Sequence, residues 1–182
     1  MILLSCDPGL ASVGWALLDL SGRRPRCIQL RTQRTSSEDR LQDRLGAIRG
    51  TLIQLAWFTP EGATLDPAKP NASVFVVEDQ APGQIAARKL GHTDANAAVA
   101  RDVQHQLTGK AEAIGLQVVT IAPRTWRSRL GLSRASDAQI KAWVRRMVDG
   151  LPKTLSIHAA EAMCIGVAGG REALKRKGKV VW

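Results

Sequence analysis

Three short apolar runs crowd into the first thirty-two residues, and they constrain the fold more than any other feature. Residues 1–6 form an apolar run closed by Asp7-Pro8-Gly9, residues 13–20 are apolar again and stop at Ser21-Gly22, and residues 26–32 partly alternate. Runs this short, separated by turn-forming residues, predict three consecutive strands in an antiparallel meander. After them the pattern changes period. Ser36-Ser37-Glu38-Asp39 has the composition of a helix start, with carboxylates in the first turn. Leu41, Leu45, Ile48, Leu52 and Leu55 then follow at spacings of three and four, as one apolar helical stripe.

The rest of the chain alternates. Residues 59–72 hold three prolines and a glycine and predict a loop. Val74-Phe75-Val76-Val77 predicts a buried strand with Glu78 at its C-terminal end. Residues 82–114 are Ala-rich and helical in pattern, with Gly91 and Gly109 as candidate interruptions. Residues 117–122 predict a fifth strand stopped by Pro123. Residues 136–148 predict a helix with Ile140, Trp143, Val144 and Met147 on one side. Residues 156–168 predict another that stops at Gly169-Gly170. There is no internal repeat and no linker, so one α/β domain with a mixed sheet accounts for the order. Residues 1–170 form that domain, and residues 171–182, with five basic residues against one Glu, form a basic C-terminal tail.

Charge narrows the function classes. The 182 residues carry a formal net charge of +10, which on a small domain points to a polyanionic partner, since Lys and Arg release counterions as they neutralise phosphates. Cys6, Cys27 and Cys164 match no zinc-site spacing, and Cys6 and Cys164 fit buried free thiols. The opening apolar run meets Asp7 too early for a signal-peptide core, and no stretch approaches the ~20 apolar residues of a membrane span. The expected location is the cytoplasm, with no membrane partner.

The acidic residues suggest the chemistry. A Mg²⁺ site for phosphodiester hydrolysis needs oxygen ligands converging from different elements. Asp7 ends the first strand, Glu78 ends the fourth, and His158 and Glu161, three residues apart, project from one face of the last helix. Each has a plainer reading. Asp7 before Pro-Gly also fits a turn residue, His158 fits a helix-face imidazole, and Asp79 competes with Glu78, because strand alternation turns only one of the two to a given side. Glu161 among Ala159, Ala160, Ala162 and Met163 is harder to explain away, since a carboxylate on a small, apolar helix is costly to bury without a partner or a metal.

In order along the chain, these residues resemble the RuvC-type Holliday junction resolvases. Asp7-Pro8-Gly9 followed by Gly14-Trp15 resembles the family's opening acidic motif, and Val76-Val77-Glu78 its second acidic strand. Ala122-Pro123-Arg124 through Arg134-Ala135-Ser136 and Gln139-Ile140 resembles the stretch before its last helix, and His158-Ala159-Ala160-Glu161-Ala162 its final acidic motif. The likeness runs to about Gly170. It implies an RNase H-like α/β fold with a five-stranded mixed sheet, the first three strands antiparallel, flanked by helices. It also implies a homodimer that binds a four-way DNA junction and nicks two strands symmetrically. Two Mg²⁺ or Mn²⁺ ions per active site would be held by Asp7, Glu78, His158 and Glu161, with no small-molecule cofactor, in a bacterial or phage-infected cell.

The chain departs from the family pattern at several points. His158 stands where many members have Asp, and Glu161 is one methylene longer than the usual Asp. Imidazole is a softer ligand than carboxylate, so Mn²⁺ is expected to support activity at least as well as Mg²⁺. Residues 79–84 (Asp79-Gln80-Ala81-Pro82-Gly83-Gln84) lack the aromatic wedge that many members carry. Asp137 stands where many have Lys, with Arg127 and Arg134 as the nearest basic substitutes. The cluster Arg124, Arg127, Arg129 and Arg134, with Gln84 and Arg88, supplies the expected DNA contacts, which position the backbone without reading sequence. Arg23, Arg24 and Arg26 fit a solvated face equally well. Trp126 fits either base stacking or a core or lid role, and residues 83–114 fit either core packing or a dimer seam. Two other functions stay open. One is an RNase H-like nuclease acting on forks or RNA-containing substrates. The other is a catalytically silent branched-DNA-binding module, against which the retained quartet argues.

Overall fold

The computed structural model describes residues 1–58, 69–80 and 95–176. Its five strands are β1 (Ile2–Asp7), β2 (Ser12–Asp19), β3 (Arg26–Arg34), β4 (Val74–Glu78) and β5 (Gln117–Ile121). Its helices are α1 (Leu41–Ala56), α2 (Ala95–Ala113), α3 (Pro123–Arg129), α4 (Asp137–Met147) and α5 (Ile157–Arg176). They form one sheet in the order β3-β2-β1-β4-β5. The expected meander is present: β1 pairs antiparallel with β2, and β2 with β3. β4 runs parallel to β1 with Leu3 opposite Val74 and Cys6 opposite Val77, and β5 runs parallel to β4.

Strand alternation sends successive side chains to opposite faces, and two cores result. Leu4, Trp15, Leu17, Phe75 and Val77 pack with Leu45, Ile48 and Leu52 of α1 and Val103 and Leu107 of α2. Leu3, Leu18, Val76 and Val119 pack with Trp126, Ile140, Trp143 and Ile165 from α3, α4 and α5. α5 crosses all five strands. Each Leu removed from water in these layers contributes about 1.5–3 kcal/mol relative to exposure. All three cysteines are buried free thiols. Among the described residues no helix is long and apolar enough to cross a membrane.

Several expectations are corrected. α1 starts at Leu41 rather than Ser36; the Ser36 hydroxyl instead accepts the Glu38 N–H at 3.1 Å, closing a turn, and Leu41 is exposed rather than part of the buried stripe. Gly109 does not interrupt α2. α5 does not stop at Gly169-Gly170 but continues to Arg176, with Ala173 and Leu174 buried. Those glycines are helical because they touch the sheet: a Cβ on Gly169 would lie 2.3 Å from Val76 Cγ1, and one on Gly170 2.3 Å from Leu20 Cδ1. A stop signal in the sequence is here a close-packing signal. The stretch after Pro123 holds a seven-residue helix absent from the sequence reading, with Pro123 in its first turn and Gly131 ending it at φ 71°. Gly91, Gln84, Arg88 and residues 177–182 lie outside the described residues.

Candidate active site

Two parallel strands and one helix end build the site. β1 and β4 are neighbours, so Asp7 and Glu78 at their C-terminal ends emerge on the same sheet edge. The start of α5 is capped locally and laid against that edge by two contacts. Ser156 caps it, its hydroxyl accepting the Ala159 N–H at 3.1 Å. Ser5 in β1 donates its hydroxyl to the Ala162 carbonyl at 2.7 Å. Gly14 in β2 gives the room, since a Cβ there would lie 2.0 Å from the His158 carbonyl oxygen.

The result is a cluster in which Asp7, His158 and Glu161 each offer a ligand atom, all within 4.8 Å of one another. His158 Nδ1 and Asp7 Oδ2 form a hydrogen bond at 3.0 Å. Glu78 stands beside this trio, bracketed by two donors. The Trp126 indole N–H donates to Oε1 at 2.6 Å, and Gln80 Nε2 donates to Oε2 at 3.0 Å. Glu78 feels the charges of Asp7 and Glu161.

Burial and crowding oppose ionisation. Glu78 is pushed up to about 7, first by burial and then by the charges of Asp7 and Glu161, with the Trp126 bond pulling the other way. Burial raises Asp7 against the lowering effect of His158, and burial with the Asp7 charge raises Glu161. Three carboxylates that disfavour one another's charge, joined by an imidazole, form a hard-oxygen set with one borderline nitrogen. That donor chemistry fits a divalent cation.

The basic residues divide. Arg127 donates to Glu161 Oε1 at 2.6 Å, stacks 4.5 Å above the Trp126 ring, and lines a groove with Arg124, Ser128 and Ser133. Arg129, two residues on, pairs with Glu172 of α5 at 3.3 Å. Arg134 lines a separate shallow groove with Leu132 and Gln139. Arg24 pairs with Asp149 at 3.1 Å, tying the first arginine cluster to the end of α4. Trp126 is fully buried, which settles its role as internal rather than base-stacking. Sequence reasoning missed Trp126 and Gln80 as partners of Glu78. Pro123, a residue favoured at the first position of a helix, signals the helix that carries Trp126 but not the acceptor of its N–H.

No protein-family model matches the chain. The crossover junction endodeoxyribonuclease RuvC of Parvibaculum lavamentivorans is 30% identical over 166 residues, covering 90% of this chain and 83% of that protein. The enzyme of the same description from Cereibacter sphaeroides is 29% identical over 169 residues, covering 92% and 88%. Among solved structures, Thermus thermophilus RuvC in complex with a Holliday junction substrate superposes with a TM-score of 0.69 at 17% identity, covering 98% of this chain and 96% of that one. At that identity the likeness is one of fold, the RNase H-like α/β class.

Proposed function

The chain belongs to the RuvC family of crossover junction endodeoxyribonucleases and by that membership is a Holliday junction resolvase; we propose that it cuts by metal-assisted hydrolysis, as a homodimer placing paired symmetric nicks. The observation that carries the metal reading is the convergence of Asp7, His158 and Glu161 within 4.8 Å, from two elements far apart in sequence. These three, with Glu78, would hold Mg²⁺ or Mn²⁺. The chemistry that a pair of such ions supplies when bound is an activated water and a stabilised leaving oxygen.

The remaining work falls to the protein's own groups. Burial raises Asp7, Glu78 and Glu161 above their ordinary values, and a bound cation would favour their charged, ligating forms. Arg127 holds Glu161 while lining the groove with Arg124. A guanidinium there matches a phosphate with two parallel hydrogen bonds and positions the strand without reading its bases. Arg129 is committed to α5 and plays a structural part in this reading.

A second reading, cleavage of forks or RNA-containing substrates, is favoured by one observation. Asp137 stands in the first turn of α4, and its negative charge reaches Glu161, where the resemblance places a lysine. Labelled four-way junction, fork, duplex and RNA–DNA hybrid, each incubated with Mg²⁺ and with Mn²⁺, separate the two. Symmetric nicks confined to the junction are expected, with Mn²⁺ at least as effective; equal cutting of all four substrates overturns junction resolution. Asp7→Asn should bind the junction as the parent does while cleavage falls by more than about a hundredfold, beyond what outer-sphere changes usually cost. Parental cutting by that variant would remove Asp7 from the site.

A further inference from the structure

The indole of Trp126 has an unusual partner. A buried Trp needs an acceptor for its N–H, and a backbone carbonyl or an apolar ring in its place would serve packing equally well. Here the N–H reaches across to Glu78 Oε1 at 2.6 Å, forty-eight residues away, from a ring with no exposed surface. The other oxygen of Glu78 accepts from Gln80 Nε2 at 3.0 Å. Gln80 is itself anchored, its backbone N–H donating at 2.8 Å to Oε1 of Gln104, a buried side chain of α2. One donor thus comes from the core beneath α3 and the other from a strand end tied to α2.

We propose that Trp126, with Gln80, is a positioning residue that fixes the orientation of the Glu78 carboxylate for a divalent cation. The inference rests on the metal reading above and extends it. A glutamate side chain left to itself turns about its terminal bond, which is broad and roughly two-fold. Each carboxylate oxygen has two lone-pair sites, so a donor on each locks the plane and leaves one site per oxygen in a set direction. Outer-sphere donors of this kind commonly change metal affinity or activity by about 10–100-fold.

Trp126→Phe keeps a buried ring and removes the donor. In the full-length protein, calorimetric titration with Mn²⁺ and the Mn²⁺-induced rise in Tm should both show binding weakened by about 10–100-fold. The Mn²⁺ needed for half-maximal junction cleavage should rise in parallel, while the rate at saturating Mn²⁺ stays within a few-fold of the parent and junction binding in EDTA is unchanged. Trp143→Phe, which alters a second buried tryptophan of the same core, should leave the Mn²⁺ titration as it was. If Trp126→Phe does not fold, Gln80→Leu, which leaves the core untouched, should weaken Mn²⁺ in the same direction. Parent-like Mn²⁺ affinity in either folded donor variant overturns the inference alone. Absence of Mn²⁺ binding by the parent overturns the metal reading and the inference with it.

Discussion

Along α5, the first turn and the stretch from Gly166 to Gly170 meet the sheet in different ways. The first turn carries polar groups to its edge: the His158 side chain is 42% exposed, and Glu161 projects into the cluster with Asp7. Further along, three glycines bring the helix backbone itself onto the sheet, on either side of the buried side chains of Val167 and Ala168. At Gly166 a Cβ would lie 2.5 Å from Ser5 Oγ, and Gly169 and Gly170 press on Val76 and Leu20. Each glycine inside a helix costs about 0.5–1 kcal/mol relative to Ala, and this helix accepts three. The contrast shows what the expense achieves: backbone-to-sheet contact at one end fixes the height and rotation of the helix, and so places the ligands at the other. Gly14 joins the two regimes, because it gives the same closeness beneath His158 itself.

The largest expected effect comes from breaking the contact at the ligand end. In Gly14→Ala the added methyl must displace the His158 carbonyl, a backbone atom that cannot swing aside. Stability should fall by about 1–3 kcal/mol in denaturant titration. Junction cleavage, measured well below the new Tm, should fall further than the folded fraction does; a loss merely proportional to unfolding would show that the contact does not position His158. Gly169→Ala probes the glycine end. Its methyl meets the Val76 side chain, so a similar about 1–3 kcal/mol loss is expected, with a smaller loss of cleavage by the folded protein than in Gly14→Ala, because a side chain yields more easily than the backbone carbonyl at His158. Adding Val76→Ala should restore part of the stability, and strict additivity of the two changes would argue against direct contact. The smallest effect is expected from Arg129→Gln. The Arg129–Glu172 pair is partly solvated, with side chains 40% and 31% exposed, and such pairs are worth about 1 kcal/mol or less. Cleavage should be unchanged, and a marked loss would move Arg129 from α5 packing to DNA binding.

The same contrast explains what the sequence reveals and what it hides. The strands were legible because period-two apolar runs and turn residues are local signals. Asp7, Glu78, His158 and Glu161 were legible as candidates because each sits at an element's end or on a small-residue face. Gly169-Gly170 misled for a physical reason: glycine ends helices by its backbone freedom, yet it also lets a helix lie on a sheet, and only the neighbour across the gap decides between the two. Ser36 misled similarly, since its hydroxyl closes a turn as readily as it caps a helix. Trp126 and Gln80 were hidden because their acceptor lies in a different element, and for Trp126 far away in sequence. Nothing in the composition of residues 122–131 points to Glu78.

The parallel pairing of β1 with β4 has one more consequence. Because Leu3 to Cys6 stand opposite Val74 to Val77 through hydrogen bonds of the sheet itself, the separation of Asp7 and Glu78 is inherited from strand spacing and owes nothing to the chain that connects them. A change of length or charge in a turn that leaves the strands paired therefore leaves the carboxylate pair where it is. The spacing of the two carboxylates is in this way a property of the sheet, open to change only through the strands themselves.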